Sequence, residues 1–269
     1  CSIEDGFALP PIEAFEAALT PRTRAICITN PSNPTGSFYS EEDLRALGAL
    51  VRKHDLFLIV DEVYREFCYD GQQFFSALSI EGLEDHVIVI DSISKRYSAC
   101  GARIGSLVTR NEAVLDTVTR YAKLRLSPPG FGQILAEATL EMEPNYMDAV
   151  KQEYDRRRRV VFNRLQAMPG VTSYLPGGAF YCFARFPVES AEDFCRWLLE
   201  DFEHEGATVM LSPGEGFYAT PGRGRDEVRI AYILNENDLQ AAMDCLEVAL
   251  QTYPKALQAE FVHSRPNNS

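Results

Sequence analysis

Three apolar runs near the start of the chain each lead into polar residues whose types could do chemistry. Ala25 to Thr29 is followed by Asn30-Pro31-Ser32-Asn33-Pro34-Thr35-Gly36. Leu56 to Val60 is followed by Asp61-Glu62-Val63-Tyr64. Val87 to Ile90 is followed by Asp91-Ser92-Ile93-Ser94-Lys95, and then by Gly101-Ala102-Arg103-Ile104-Gly105. A lysine that forms an imine needs a lowered pKa, and a nearby cation such as Arg103 helps to lower it. Hydroxyls from Ser92 and Ser94 together with the Arg103 guanidinium make a site for phosphate. A carboxylate at the end of the neighbouring strand, Asp61, can keep a pyridine nitrogen protonated. The Tyr64 phenol and an amide can hydrogen-bond a phenolate oxygen.

Each group has an ordinary explanation on its own. The Asn-Pro pairs shape turns, Asp61 caps a helix that begins there, and Ser92 and Ser94 cap the next one. Tyr64 lies three residues on from Asp61, on the same helical face, where it could simply pack. Most lysines are surface residues, and Lys95 need be no different. Together, however, they meet the needs of one cofactor, pyridoxal 5'-phosphate (PLP): a lysine, an acid at the ring nitrogen and an anchored phosphate.

The elements that must position these residues are read from periodicity. Short apolar runs alternating with helical patterns predict an α/β domain with a mainly parallel sheet. Its ligands are expected beyond the carboxyl ends of the strands, where the three polar clusters fall. Leu56 to Val60, apolar throughout, is expected to be covered on both faces, and Ile104 to Thr109 reads as a fourth strand. Ser40 is an expected N-cap, with Glu41, Glu42 and Asp43 suiting the positive end of the helix dipole. Helical stretches follow over 111–124, 131–142 and 146–167. The last carries Arg156 to Arg159, read as a solvated face rather than an anion site. An α+β section closes the chain: strand Ala179 to Phe186, helix 190–203, strand 207–211, strand Val228 to Leu234 and helix 236–251. The expected domains are residues 1–145, 146–254 and a loose tail over 255–269.

Composition narrows the function classes. The 269 residues carry 39 acidic and 26 basic side chains, a formal charge of −13, which argues against nucleic acid as a partner. The longest apolar run, Ala179 to Ala184, is six residues, far short of the ~20 that cross a bilayer. Seven cysteines, without the clusters of a metal site, fit reduced thiols in a cytoplasmic protein. The four histidines fall at predicted helix ends, loops or the tail (His263) and add no site. Residue 1 is Cys and no targeting segment follows, so the chain is expected to start part-way through something longer.

The Asn30–Gly36, Asp61–Tyr64 and Ser92–Lys95 motifs with Arg103, in this order and at these separations, resemble the signature of class I/II aminotransferases, the fold type I PLP enzymes. The section ending in Val228-Arg229-Ile230-Ala231 is similar to the family's small domain. The resemblance implies a PLP-binding large domain, incomplete at its N-terminus, plus a smaller α+β domain. It implies that Lys95 carries the cofactor as a Schiff base and shuttles a proton, and that Asp61 pairs with the pyridinium nitrogen. Tyr64 and Asn33 would bond the 3′ oxygen, while Ser92, Ser94 and Arg103 hold the phosphate. Asn33 and Arg229 would contact substrate, Arg229 taking its α-carboxylate. Arg229 would point opposite to Val228, Ile230 and Tyr232. The Asn33–Pro34 bond is expected to be cis.

The implied reaction is ping-pong transfer of an amino group between an L-amino acid, with aspartate expected, and a 2-oxo acid such as 2-oxoglutarate, in a homodimer. Arg120, Lys123 and Arg125 are possible partners for a side-chain carboxylate, or a helix C-terminus suited to positive charge. The family segment holding a glycine turn for the phosphate, a ring stacked on the pyridine and an arm into the partner subunit does not appear in this sequence. Two other readings stay open: a C–S lyase of the same fold, and a non-catalytic PLP-binding regulatory domain.

Overall fold

The computed structural model describes residues 1–143 and 145–257, and its chain forms two compact units. One comprises Cys1–Arg156 together with Pro176–Tyr181, and the other begins with Arg157–Leu175 and continues from Cys182. The expected boundary at 146 is the start of a long helix, and the division between units lies within that helix. From residue 258 on, the expected tail, His263 included, lies outside the described residues.

In the first unit, a short helix α1 (Ile12–Ala18) that the pattern did not announce precedes strand β1 (Ala25–Thr29). Helix α2 (Glu41–Lys53) follows, then strands β2 (Phe57–Asp61) and β3 (Val87–Ser92), the one-turn helix α3 (Ile93–Arg96) and strand β4 (Gly105–Val108). Helices α4 (Glu112–Arg125), α5 (Gly130–Ala138) and the first part of α6 (Tyr146–Ala167) complete it. The sheet runs β1-β2-β3-β4, with β1, β2 and β3 parallel and β4 antiparallel to β3. Ser40 opens α2 with a full capping box, accepting from the Asp43 N–H while Asp43 accepts from the Ser40 N–H. That start sets the helix so that Leu44, Leu47, Leu50 and Val51 pack on Leu58, Val60, Val87 and Val89. Each such side chain contributes about 1.5–3 kcal/mol on burial.

Coverage of β2 on both faces does not hold. Leu58 and Val60 are buried, but Phe57 and Ile59, pointing the other way, are only half-buried, and Cys27 on β1 is exposed. The apolar stripe of α2 covers one face, that of Leu58 and Val60. Arg120, Lys123 and Arg125 are exposed on α4, the last two in the final turn, where the dipole favours cations.

The second unit holds the sheet β5-β6-β8-β7, from strands β5 (Thr172–Ser173), β6 (Tyr181–Arg185), β7 (Ser212–Pro213) and β8 (Glu227–Ala231). Helices α7 (Ala191–Glu200) and α8 (Glu236–Thr252) supply buried Phe194, Leu198, Leu239, Met243 and Leu246. Two expectations change. Residues 207–211 form no strand, because Ala207 turns back to exchange backbone hydrogen bonds with His204, and the pairing with β8 falls to Ser212–Pro213. The arginine run is not a solvated face throughout. Arg156 and Arg159 are exposed, but Arg158 is fully buried and Arg157 donates to Ile233 O.

Candidate active site

The three parallel strands end side by side, which is why the polar clusters meet at one edge of the sheet. Thr29 pairs with Asp61, and Asp61 with Ile90. The ladder continues past the strand ends, with Asn30 N–H bonding Asp61 O and Glu62 N–H bonding Ile90 O, both at 2.9 Å. After β1, Asn30 is fully buried and clamps the loop by bonding both the N–H and the carbonyl of Tyr39. It is therefore structural. Asn33 stands exposed in the same loop, and both Asn30–Pro31 and Asn33–Pro34 are cis.

After β2, two adjacent carboxylates differ sharply. Glu62 is 1% exposed and its oxygens take the Ser76 hydroxyl at 2.8 and 3.0 Å and the Ala77 N–H at 2.9 Å, pinning a distant loop. Asp61 is half-buried, and its Oδ1 accepts from the Val63 N–H at 3.1 Å; no donor reaches its Oδ2 among the described residues. Burial, and then the nearby Asp91 charge, push the Asp61 carboxyl above its ordinary range. No helix starts here. Residues 63–66 are turns, closed by Arg65 N–H to Glu62 O and Phe67 N–H to Tyr64 O.

After β3, Ser92 caps α3, accepting from the Ser94 N–H, and lies 2.8 Å from both Ile104 O and Ser94 Oγ. Ser92, Ser94 and Arg103 line one recess of about 350 Å³ along β3 and β4. Arg103 is exposed, in the left-handed region at φ 56°, and donates to Cys100 O at 3.0 Å. Lys95 is half-buried, with Nζ 5.8 Å from the Phe180 ring centre. Its neighbour Arg96 is tied to Asp91 at 3.1 Å and faces Glu66 at 3.5 Å, while Arg65 reaches Asp91 at 3.2 Å. Sequence reasoning gave no role to this ionic group, which anchors the turn carrying the lysine.

The largest omission is the segment Pro176–Tyr181, expected within the later domain, with Ala179–Tyr181 in its strand, but grouped with the first unit. Two glycines let it in. A Cβ at Gly178 would lie 2.5 Å from Pro31 Cβ and 2.9 Å from Phe67 O. Gly36, at φ +78°, approaches Tyr181 O so closely that a Cβ would lie 2.3 Å from it. The segment is then fastened by Gly178 N–H to Gly36 O, Ala179 N–H to Phe67 O, and the Tyr69 hydroxyl to Ala179 O. It presents Phe180 and Tyr181 to Tyr64, and the pair Gly177-Gly178 before two aromatics was the available signal.

In the second unit, Arg229 is half-buried while Val228, Ile230 and Tyr232 are buried, the expected opposition. Its guanidinium donates to Ser212 Oγ at 3.1 Å and lies 5.1 Å from the Phe217 ring centre.

The residues of the first unit fit PLP by their chemistry. The recess offers two hydroxyls and a guanidinium suited to a phosphate, and the Asp61 carboxylate, raised by burial and open at one oxygen, suits a cationic ring N–H. Comparison with known proteins finds aminotransferases. The chain is 32% identical over 245 residues to aromatic-amino-acid aminotransferase 2 of Thermococcus litoralis, covering 89% of this chain and 60% of that protein. It is 31% identical over 263 residues to the aspartate aminotransferase of Rhizobium meliloti, covering 93% and 62%. The crystal structure of an aromatic aminotransferase from Pyrococcus horikoshii superposes with a TM-score of 0.81 at 31% identity, covering 92% of this chain and 65% of that one. The chain thus spans about three fifths of the length of the relatives it matches. Residues 7–246 match the family model described as aminotransferase class I and II, and with this sheet edge and fold the chain belongs to that family.

Proposed function

We propose that this chain forms the cofactor-binding and substrate-binding part of a PLP-dependent aminotransferase. The reaction is the ping-pong exchange of an amino group between an L-amino acid, aspartate by preference, and a 2-oxo acid such as 2-oxoglutarate. The observation carrying this reading is the delivery of Asp61 with Tyr64, and of Ser92, Ser94 and Lys95, to one sheet edge by adjacent parallel strands. When bound, PLP supplies an aldehyde for the lysine and a protonated ring that withdraws electrons from the substrate α-carbon.

The chain's own residues do the rest. Lys95 Nζ would hold the cofactor and would serve as the group that accepts and returns the migrating proton. Asp61 holds the ring N–H, and that cation in turn draws the Asp61 carboxyl back down to its ionised form. Ser92, Ser94 and Arg103, which line one recess, hold the phosphate. Tyr64 and Asn33 donate to the ring oxygen, and Asn33 also faces substrate. Arg229 of the second unit takes the substrate α-carboxylate through its paired N–H groups. The aspartate preference rests on the relatives named for aspartate, alongside one named for aromatic amino acids. We further assign a cytoplasmic homodimer, the unbridged Cys182 and Cys195 fitting a reducing compartment.

Addition of PLP should generate a visible absorption band that Lys95→Ala lacks; persistence of the band in that variant would sink the assignment. A panel of amino acids then separates the chemistry. Amino transfer is expected from aspartate, release of pyruvate and ammonia from cystathionine-like substrates marks a lyase, and binding without either marks a regulatory domain.

A further inference from the structure

Tyr64 does not stand alone. Its hydroxyl oxygen lies 2.8 Å from that of Tyr181, and the two side chains are 2% and 7% exposed. The rings meet edge to face at 5.6 Å, and both flank Phe180 at 5.1 Å. The Phe180 ring in turn faces Lys95 Nζ. Tyr181 occupies this place because Gly36 and Gly178 admit its segment between the Asn-Pro loop and the Tyr64 turn.

A phenol has one proton. In a bonded pair of phenols, one proton lies between the oxygens, and the other belongs to the partner that accepts. If Tyr64 gave its proton to Tyr181, it would have only lone pairs to offer an anionic ring oxygen. If Tyr181 is the donor, the Tyr64 proton points outward, and accepting a hydrogen bond makes Tyr64 the stronger donor.

We propose that Tyr181 is a positioning residue that donates its hydroxyl proton to Tyr64 and so aims the Tyr64 proton at the ring oxygen of the bound cofactor. The inference rests on the PLP reading above. The anionic oxygen accepts only, so it selects this one of the two arrangements. The titratable groups on the packed elements include Lys95 and Arg96 from α3, Tyr154 from α6, stacked on Phe180, and Asp61, Glu62, Arg65, Glu66, Cys68 and Tyr69 on the Tyr64 segment itself. The facing Asn30–Gly36 loop carries none.

The test is the pH midpoint of the cofactor's visible absorption band in wild type, Tyr64→Phe, Tyr181→Phe and the double variant, all loaded with PLP. A donor to the ring oxygen favours the form in which that oxygen carries full negative charge, so losing it raises the midpoint. Tyr64→Phe is expected to raise it most. Tyr181→Phe should raise it in the same direction by roughly 0.3–1 pH unit, since it weakens that donor without removing it. The double variant should match Tyr64→Phe alone, because Tyr181 acts only through Tyr64. A wild-type midpoint in Tyr181→Phe, or shifts that simply add, overturns the inference while leaving the PLP reading intact. Absence of the band in wild type overturns both. Melting of the cofactor-free protein is the second readout, requiring no loaded enzyme. The hydroxyl pair predicts non-additive losses in the two single variants and the double, and strict additivity counts against it.

Discussion

The middle of each parallel strand and its carboxyl end are built for different purposes, and β2 shows both within five residues. Leu58 and Val60 are fully buried against α2, whereas Asp61, the last residue of the strand, is half-buried with one carboxylate oxygen open. Its neighbour Glu62 is almost fully buried, and both of its oxygens are bonded. The difference teaches that a charge in the edge is held for stability when its bonds are closed within the chain, and for chemistry when they are not. Core residues should therefore lose stability when altered, and edge residues chemistry.

The strongest way to break that division is Lys95→Ala. Amino transfer should fall by about 10⁴-fold or more, through loss of the nucleophile and proton carrier. The melting temperature should stay within about 2 °C, as expected of a half-buried side chain off the core. Kinetics and thermal scans on one preparation check both halves. Leu58→Ala should do the reverse, costing about 2–5 kcal/mol in denaturant titration while the folded fraction keeps its turnover.

Asp61→Asn sharpens the comparison, because its two effects should have opposite signs. Transfer should fall by about 10²–10³-fold as the ring proton is lost. Burial raises the Asp61 carboxyl in the native chain, so the native state binds the proton more tightly than the unfolded one. Wild-type stability from this group thus falls as pH rises from the ordinary carboxyl value through the raised one. The cofactor-free Asn variant should lack that decline and be more stable at pH 7 by on the order of 0.5–1 kcal/mol. Denaturant curves at pH 5 and 8 read the difference, and a less stable variant at pH 8 would contradict it. Glu62→Ala, one position on, should cost about 1–3 kcal/mol by stranding the Ser76 hydroxyl and Ala77 N–H.

The smallest effect is read in the thiols. Burial pushes Cys182 and Cys195 up to about 12, and Cys68 likewise, with Glu66 adding to it, while Cys1, Cys27 and Cys100 are exposed. A thiol reagent at pH 8 should label the exposed three well before those three, and equal rates would show that the core opens easily.

Much of the site was legible because its signals are local. Apolar runs ending in Asp61 and Ser92 mark strand ends whatever surrounds them, and Ser40 with Asp43 is a cap by spacing alone. The failures were non-local. The 207–211 run has strand composition, yet Ala207 exchanges its backbone hydrogen bonds with His204. Arg158 sits within a run of four arginines, and only packing shows that it is buried. Tyr181, separated by 117 residues from Tyr64, was assigned to the wrong unit.

The amino-acid sequence by itself determined the three parallel strands and helix α2, the chemical inventory at the strand ends and the family. Those follow from periodicity, capping and residue type, which act over a few neighbouring positions. The tertiary structure alone decided which carboxylate is closed and which is open, and which phenol meets Tyr64. Burial and hydrogen-bond closure depend on segments far apart in the chain, and a pair such as Gly36 and Gly178 acquires meaning only when two backbones approach too closely for any side chain between them.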